Sequence, residues 1–361
     1  MARIQLDNIS HSYDQQRGEA TEFAVKGVDH VWEQGGAYAL LGPSGCGKST
    51  MLNIISGLIT PTHGRVLFDD RDVTALTPAQ RNIAQVFQFP VIYDSQSVYW
   101  NLAFPLRNRG IAAHDVDRRV RKIASVLDLT DSLDQRAQRL TSDAKQKISL
   151  GRALVREDVG AILFDEPLTT IDPHLKWQLR STLRQLHREF DFTMVYVTHD
   201  QTEALTFADT VVVMHDGEMV QVGTPEELFE RPEHVFVGYF IGSPGMNLLP
   251  AEVSGNQAQI AGHAIALSRS YPAMKKGGRV EIGVRPEFVA LSRGGDGVPV
   301  RIERVDDLGR IKIVRTELGG QPFNVVIDGD KEVPADDARI GLDMQRVHVY
   351  ADGRIVEGEV V

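Results

Sequence analysis

"YALLGPSGCGKSTMLNIISGL", Tyr38–Leu58, decides the fold. A short apolar run ending at Leu41 meets Gly42-x4-Gly47-Lys48-Ser49, and apolar residues at helical spacing follow. Strand, glycine-rich loop and helix in that order form a phosphate-binding loop, whose usual setting is an α/β domain with a parallel sheet. Its glycines let backbone N–H groups converge on phosphate oxygens, and the helix N-terminus favours the anion. Within Gly42, Pro43, Ser44, Gly45, Cys46, Gly47, Lys48, Ser49 and Thr50, Lys48 supplies a point charge at the β- and γ-phosphates. Ser49 offers a hydroxyl to Mg²⁺. The expected ligand is a nucleoside triphosphate.

Working outward, "GAILFDEPLTTID" is an apolar strand whose end presents Asp165 and Glu166 at the carboxyl edge of the sheet, where α/β proteins bind ligands. Asp165 suits a Mg²⁺ shell, while Glu166, one residue on and facing differently, suits orienting or deprotonating a water. A third apolar strand, "FTMVYVTHD", ends at His199 and Asp200 and brings an imidazole towards the γ-phosphate.

Composition narrows the setting. The chain has 361 residues, enough for two or three domains, with 42% hydrophobic and 24% charged residues, as ordinary globular proteins have. A net charge of −10 argues against a nonspecific nucleic-acid binder, which needs a basic face for phosphates. One cysteine, Cys46, excludes an intramolecular disulfide and suits a reducing cytosol. "MARIQLDNISHSYD" lacks the apolar stretch of a signal peptide, and no run approaches the roughly 18 apolar residues of a membrane span. The expectation is a cytoplasmic chain that meets a membrane only through a partner.

These residues, in this order, resemble the ATP-binding cassette ATPases over about the first 240 positions. The resemblance implies ATP and Mg²⁺ as ligands, Gly42 to Thr50 as Walker A, "AILFDE" as Walker B and His199 as the switch histidine. It also places the Q-loop glutamine at Gln88, a Mg²⁺ ligand in the family, and the D-loop at "TTID", ending at Asp172. Tyr13 falls where the family stacks an aromatic on adenine. The stretch from about 89 to 157, with Val116, Val120, Ile123, Val126 and Leu127 at helical spacing, is expected to be the helical subdomain. Beside the Q-loop, "FQFPVIYDSQSVYWNLAFPLRNRG" carries exposed-looking aromatics, Phe89, Tyr93, Tyr99 and Trp100. In importers of the family a membrane subunit docks its coupling helix there.

The departure lies at Leu140, Thr141, Ser142, Asp143 and Ala144, where the family reads LSGGQ; the flank "KQKISLGRALV" still matches. In the family two cassettes pair head to tail, and each signature closes over the ATP on the other's P-loop. Thr141 keeps a hydroxyl, but a carboxylate about 4 Å from a phosphate costs about 4 kcal/mol per unit-charge pair at an effective dielectric near 20. That is an upper bound of roughly a thousandfold in rate. The same residues also make a good helix start, with Thr141, Ser142 or Asp143 as N-cap. Pairing is reciprocal, so the altered signature harms the partner's site and spares this chain's own. The expected assembly is a heterodimer with a paralogous ATPase that has an intact signature, and a homodimer with two weakened sites is the rival.

After "FVGYFIGSPGMNLLPAEV" the pattern changes to short alternating runs, which predict a small β-barrel-like domain with a hairpin turn at Asp352-Gly353. "GVRPE", Gly283 to Glu287, resembles the OB-like accessory (TOBE-type) domain of carbohydrate-importer ATPases, including the maltose and glycerol-3-phosphate systems. The fold expected is an α/β P-loop cassette with a helical subdomain over residues 1–240, then a β-rich OB-like domain over 241–361. The resemblance implies two transmembrane permease subunits, an external solute-binding protein, a peripheral place on the cytoplasmic face of the membrane, and a sugar, polyol or related solute as cargo. No nucleic acid is expected as a partner. A soluble cassette ATPase acting on nucleic acid or ribosomes and a regulatory nucleotide-binding subunit with little turnover stay open at this point.

Overall fold

The computed structural model describes residues 2–14, 22–169, 171–190, 192–272 and 278–360. They form two compact units, Met1–Pro225 and Glu226–Val361. That division lies N-terminal to the change of sequence pattern near residue 241.

In the first unit the chain runs β1 (Ile4–His11), β2 (Val25–Trp32), β3 (Ala37–Leu41), α1 (Lys48–Ser56), β4 (His63–Phe68), β5 (Arg71–Asp72), α2 (Pro78–Arg81) and β6 (Ala84–Val86). It continues through α3 (Val98–Arg107), α4 (Ala113–Val126), α5 (Ser142–Leu154), β7 (Ile162–Asp165), α6 (Pro173–Phe190), β8 (Met194–Thr198), α7 (Gln201–Phe207), β9 (Thr210–His215) and β10 (Glu218–Gly223). An antiparallel sheet of order β2-β1-β4-β5 faces a six-stranded sheet of order β10-β9-β3-β8-β7-β6, which is parallel except for β10. Between them lies one core: Met51, Leu52, Ile54 and Ile55 of α1 pack with Ile4, Trp32 and Val66 from one sheet and Leu40, Leu163 and Val197 from the other. Every residue of β3 and of β8 is buried, which explains why these strands read as unbroken apolar runs and not as alternating ones.

Sheet order positions the chemistry. β8 pairs in parallel with both β3 and β7, with Leu41 opposite Thr198 and Asp165 opposite Val197. Three strand ends far apart in sequence therefore emerge side by side.

The helical stretch forms as its spacing predicts. Val116, Val120, Ile123 and Ala124 of α4 are buried, while Leu127 lies just past the helix as its C-cap. Phe89 and Tyr93 are exposed, but Tyr99 and Trp100 are half-buried, which corrects the expectation for those two. Tyr93, Trp100 and Phe104 pack ring on ring at 4.9–5.2 Å, and the Arg152 guanidinium lies 4.7 Å from the Tyr93 ring centre.

The second unit is β-rich, with short antiparallel sheets around a core that includes Leu249, Ile282, Val314, Phe323 and Val349. Asp352 and Gly353, both at positive φ (49° and 83°), turn the chain between His348–Ala351 and Arg354–Ile355, as their sequence predicts. The arginine of "GVRPE", Arg285, is 2% exposed and donates to the carbonyls of Leu228 and Gly238 while lying 4.0 Å from the Phe229 ring centre. Burial lowers its pKa to about 10. Its place in the motif is that of an internal tie holding helical turns to the barrel.

Candidate functional site

The loop after β3 carries its glycines for two separate steric reasons. A Cβ at Gly42 would lie 2.3 Å from the Met214 carbonyl oxygen, and one at Gly47, which sits at φ +100°, would lie 2.3 Å from that of Ala24. Gly47 is also the N-cap of α1, which has no side-chain cap and no acidic residue in its first turn. The helix therefore offers its N–H groups and positive end to an anion. Lys48, 5% exposed, folds back over the loop and donates to the carbonyls of Gly42 and Pro43, both at 2.8 Å. Cys46 packs beneath it, buried, with its thiol pKa raised by burial.

Ser49 donates to Asp165 Oδ1 at 3.1 Å, joining the first turn of α1 to the end of β7. Burial raises the Asp165 pKa, the Ser49 hydrogen bond opposes the shift, Glu166 adds to it and Lys48 opposes it. The next residue, Glu166, holds φ +47°, a left-handed conformation rare for a side chain of this size. Its carboxylate meets two partners: Oε1 lies 3.0 Å from His199 Nδ1, and Oε2 accepts from Thr169 at 3.3 Å. His199 follows β8, the strand between those bearing the P-loop and Asp165.

Tyr13 is 65% exposed, packs edge-on against His11 at 4.7 Å, and shares a 3.1 Å hydroxyl hydrogen bond with Thr50. It lines a cleft of about 580 Å³ with Phe23, Gly45, Asp216 and Gly217, which opens beside the P-loop. Gln88 is half-buried just beyond β6, and among the described residues no hydrogen bond joins it to Ser49 or Asp165. Asp172 caps α6, its Oδ1 accepting from the His174 N–H at 2.9 Å. Thr170 of the D-loop segment lies outside the described residues.

In the 140–144 segment the cap is Thr141, whose hydroxyl accepts from the Ala144 N–H at 3.3 Å, so α5 begins at Ser142. Asp143 does not cap: one carboxylate oxygen lies 4.0 Å from Lys147 Nζ, and the other is buried without a hydrogen-bond partner among the described residues. Leu140 precedes the cap and Ala144 closes the first turn. None of these five residues makes a hydrogen bond to the P-loop, Asp165, Glu166 or His199 among those described.

Sequence reading passed over Gln146. Fully buried, it donates from Nε2 to the carbonyls of Phe87 (3.1 Å) and Pro167 (2.8 Å), tying the start of α5 to the residues flanking Gln88 and Glu166. A glutamine among the mostly apolar buried residues of α5 was the available signal.

Fold and site together define a P-loop nucleotide hydrolase of the cassette type. The ABC transporter family matches residues 25–169, the MalK OB fold domain 242–289 and the TOBE domain 282–351. A sulfoquinovosyl glycerol transport ATP-binding protein of Agrobacterium fabrum is 36% identical, covering 97% of this chain and 98% of its own length. An sn-glycerol-3-phosphate import ATP-binding protein of Brucella abortus is 40% identical over 99% of both. The chain belongs to the ATP-binding subunits of ABC transporters, with MalK-type OB and TOBE domains, and is an ATPase. Among solved structures, cbiO1 of Clostridium perfringens, part of the ABC transporter complex cbiONQ, aligns with a TM-score of 0.57 at 25% identity, covering 63% of this chain and 90% of that one. The cassette MJ1267 in its ADP conformation aligns at 0.54 and shares the fold.

Proposed function

We propose that this chain hydrolyses MgATP to drive import of a sugar, polyol or related solute, and that it works opposite a paralogous ATPase whose signature is intact. The relatives named for sulfoquinovosyl glycerol and for sn-glycerol-3-phosphate support the solute class. Permease subunits and an external binding protein would select the solute, with this chain peripheral on the cytoplasmic face. Among the described residues no helix is long and apolar enough to cross a membrane. The exposed Phe89 and Tyr93 beside Gln88 are where a permease helix would dock.

The residues fit a Mg²⁺-bound triphosphate. No cluster of three His, Cys, Asp or Glu side chains gathers among the described residues to hold a metal unaided. One hydroxyl and one carboxylate, Ser49 and Asp165, do converge, and that suits an ion that takes the rest of its shell from phosphate and water. Ser49, Asp165 and Gln88 would hold it, and its charge would offset that developing on the phosphate oxygens. Lys48 exchanges loop carbonyls for phosphate oxygens, Glu166 orients and deprotonates the attacking water, and His199 holds Glu166 in place and reads the γ-phosphate. Tyr13 stacks on the base, and Asp172 works across the paired interface.

The observation that carries the heterodimer reading is the contrast between a complete Glu166–His199 pair and a signature bearing Asp143. Isolating the native assembly and identifying its members tests it: two different cassette chains with two membrane proteins are expected, and a single cassette species would overturn it. The pairing of Asp143 with Lys147, which offsets charge near the helix tip, favours the second reading, a homodimer with two weakened but working sites.

A further inference from the structure

Glu203 is 2% exposed and stands on α7, four residues after His199. Its Oε2 accepts from Tyr196 Oη at 2.9 Å and from Thr198 Oγ1 at 3.0 Å, and its Oε1 accepts from Lys176 Nζ at 3.2 Å. Thr198 Oγ1 in turn accepts the Asp200 N–H at 3.0 Å. The two residues on either side of His199 are thus fixed by one hydroxyl, and that hydroxyl is fixed by one buried carboxylate. Lys176 stands on α6, one turn from the Asp172 cap, and its own N–H bonds the Asp172 carbonyl at 3.0 Å. The same carboxylate therefore ties the turn bearing His199 to α6, which Asp172 caps.

Burying a carboxylate is costly even with three donors, and three well-packed apolar side chains would stabilise the core as well or better. What an apolar trio could not do is orient the Thr198 hydroxyl, whose lone pair the Asp200 N–H needs. We propose that Glu203 is a positioning residue for hydrolysis: acting through Thr198, it sets the backbone on which His199 meets Glu166, and acting through Lys176 it makes that backbone move with the Asp172 segment. The proposal rests on reading Glu166 and His199 as the hydrolytic pair. Nothing in it requires Glu203 to touch nucleotide, so its loss falls on the turnover step and not on ATP binding.

The test is steady-state ATP hydrolysis by the affinity-purified assembly of the full chain, with thermal midpoints measured alongside. Thr198→Val keeps shape and removes the hydroxyl; kcat is expected to fall about tenfold, with KM for ATP within about twofold, while the unpaired Asp200 N–H lowers the midpoint by a few degrees. Thr198→Ser keeps the hydroxyl and is expected to keep the rate. Glu203→Gln sets an amide N–H against Lys176 and lowers kcat, and adding Lys176→Met recovers part of it. Equal rates for Thr198→Val and wild type, equal losses for Val and Ser, or a loss confined to KM or to the midpoint would each overturn the proposal. A His199→Ala control separates the two levels. If it loses activity while Thr198→Val does not, only the positioning role fails. If it keeps full activity, the hydrolytic pair fails and the positioning role with it.

Discussion

Ser49 Oγ sits 3.1 Å from Asp165 Oδ1, so a hydroxyl from the P-loop helix and a carboxylate from a strand end 116 positions later share one hydrogen bond. That carboxylate is held against its own preference. Burial raises its pKa above the ordinary 3.8, so the folded chain binds a proton more tightly than the unfolded chain does. The ionised form then opposes folding. The penalty is absent below 3.8, grows as pH rises from there towards the raised folded value, and is complete at neutral pH. Asp165→Asn is therefore expected to raise the thermal midpoint at pH 7 in divalent-free buffer, to lose that gain by about pH 4, and to abolish hydrolysis. Thermal melts at the two pH values check it, and a lower midpoint at pH 7 would contradict it.

Glu166 extends the same trade. Its φ of +47° stores strain on the order of 1–3 kcal/mol. Glu166→Gly removes that strain along with the carboxylate, so the midpoint is expected to rise by a few degrees, about 1 kcal/mol, while turnover disappears. Glu166→Gln keeps the backbone as it is; it should leave the midpoint close to wild type and cut kcat by about 10²–10⁴, as loss of a general base does. Stability and rate measured on the two variants separate backbone from chemistry.

What the sequence made legible follows from the range of the interactions involved. The P-loop, both acids and His199 stand at the ends of continuous apolar strands, and a strand end is a local signal. The hairpin at Asp352-Gly353 was equally readable, since two adjacent residues carry the required φ values. Gln146 and Glu203 escaped because each acts on backbone or side chains brought near only by folding: Phe87 and Pro167 for one, Lys176 for the other. The half-burial of Tyr99 and Trp100 was invisible for the same reason, because a ring reads alike in sequence whether it packs or faces solvent.

Acid sensitivity should come first from half-buried histidines whose pKa burial lowers. Burial lowers the pKa of His30, which packs edge-on against Trp32 at 4.8 Å, and of His348, where nearby arginines add to the effect. With folded values below the unfolded 6.5, the unfolded chain binds protons first. The stability these groups contribute is whole above 6.5 and is lost as pH falls through and below it. Thermal midpoints are expected to decline from pH 6.5 to 5, and His30→Phe, which keeps the ring contact, should flatten part of that decline. A midpoint independent of pH over that range would count against the assignment.

The signature offers the sharpest separation of readings, because its two half-buried charges pull in opposite directions. One Asp143 carboxylate oxygen lies 4.0 Å from Lys147 Nζ, a turn further along α5, while Thr141 caps the helix. Removing the tether with Lys147→Met frees the carboxylate and is expected to lower turnover of the assembly. Replacing Ser142 and Asp143 together by glycine is expected to raise turnover about tenfold, below the thousandfold bound that applies to a carboxylate held against phosphate. Once Asp143 is glycine, Lys147→Met should have no further effect on rate. The decisive step is to repair the signature in a Glu166→Gln background. In a heterodimer the repaired residues serve the partner's ATP, whose own glutamate is untouched, so the gain survives. In a homodimer every site has lost its glutamate, and the gain vanishes.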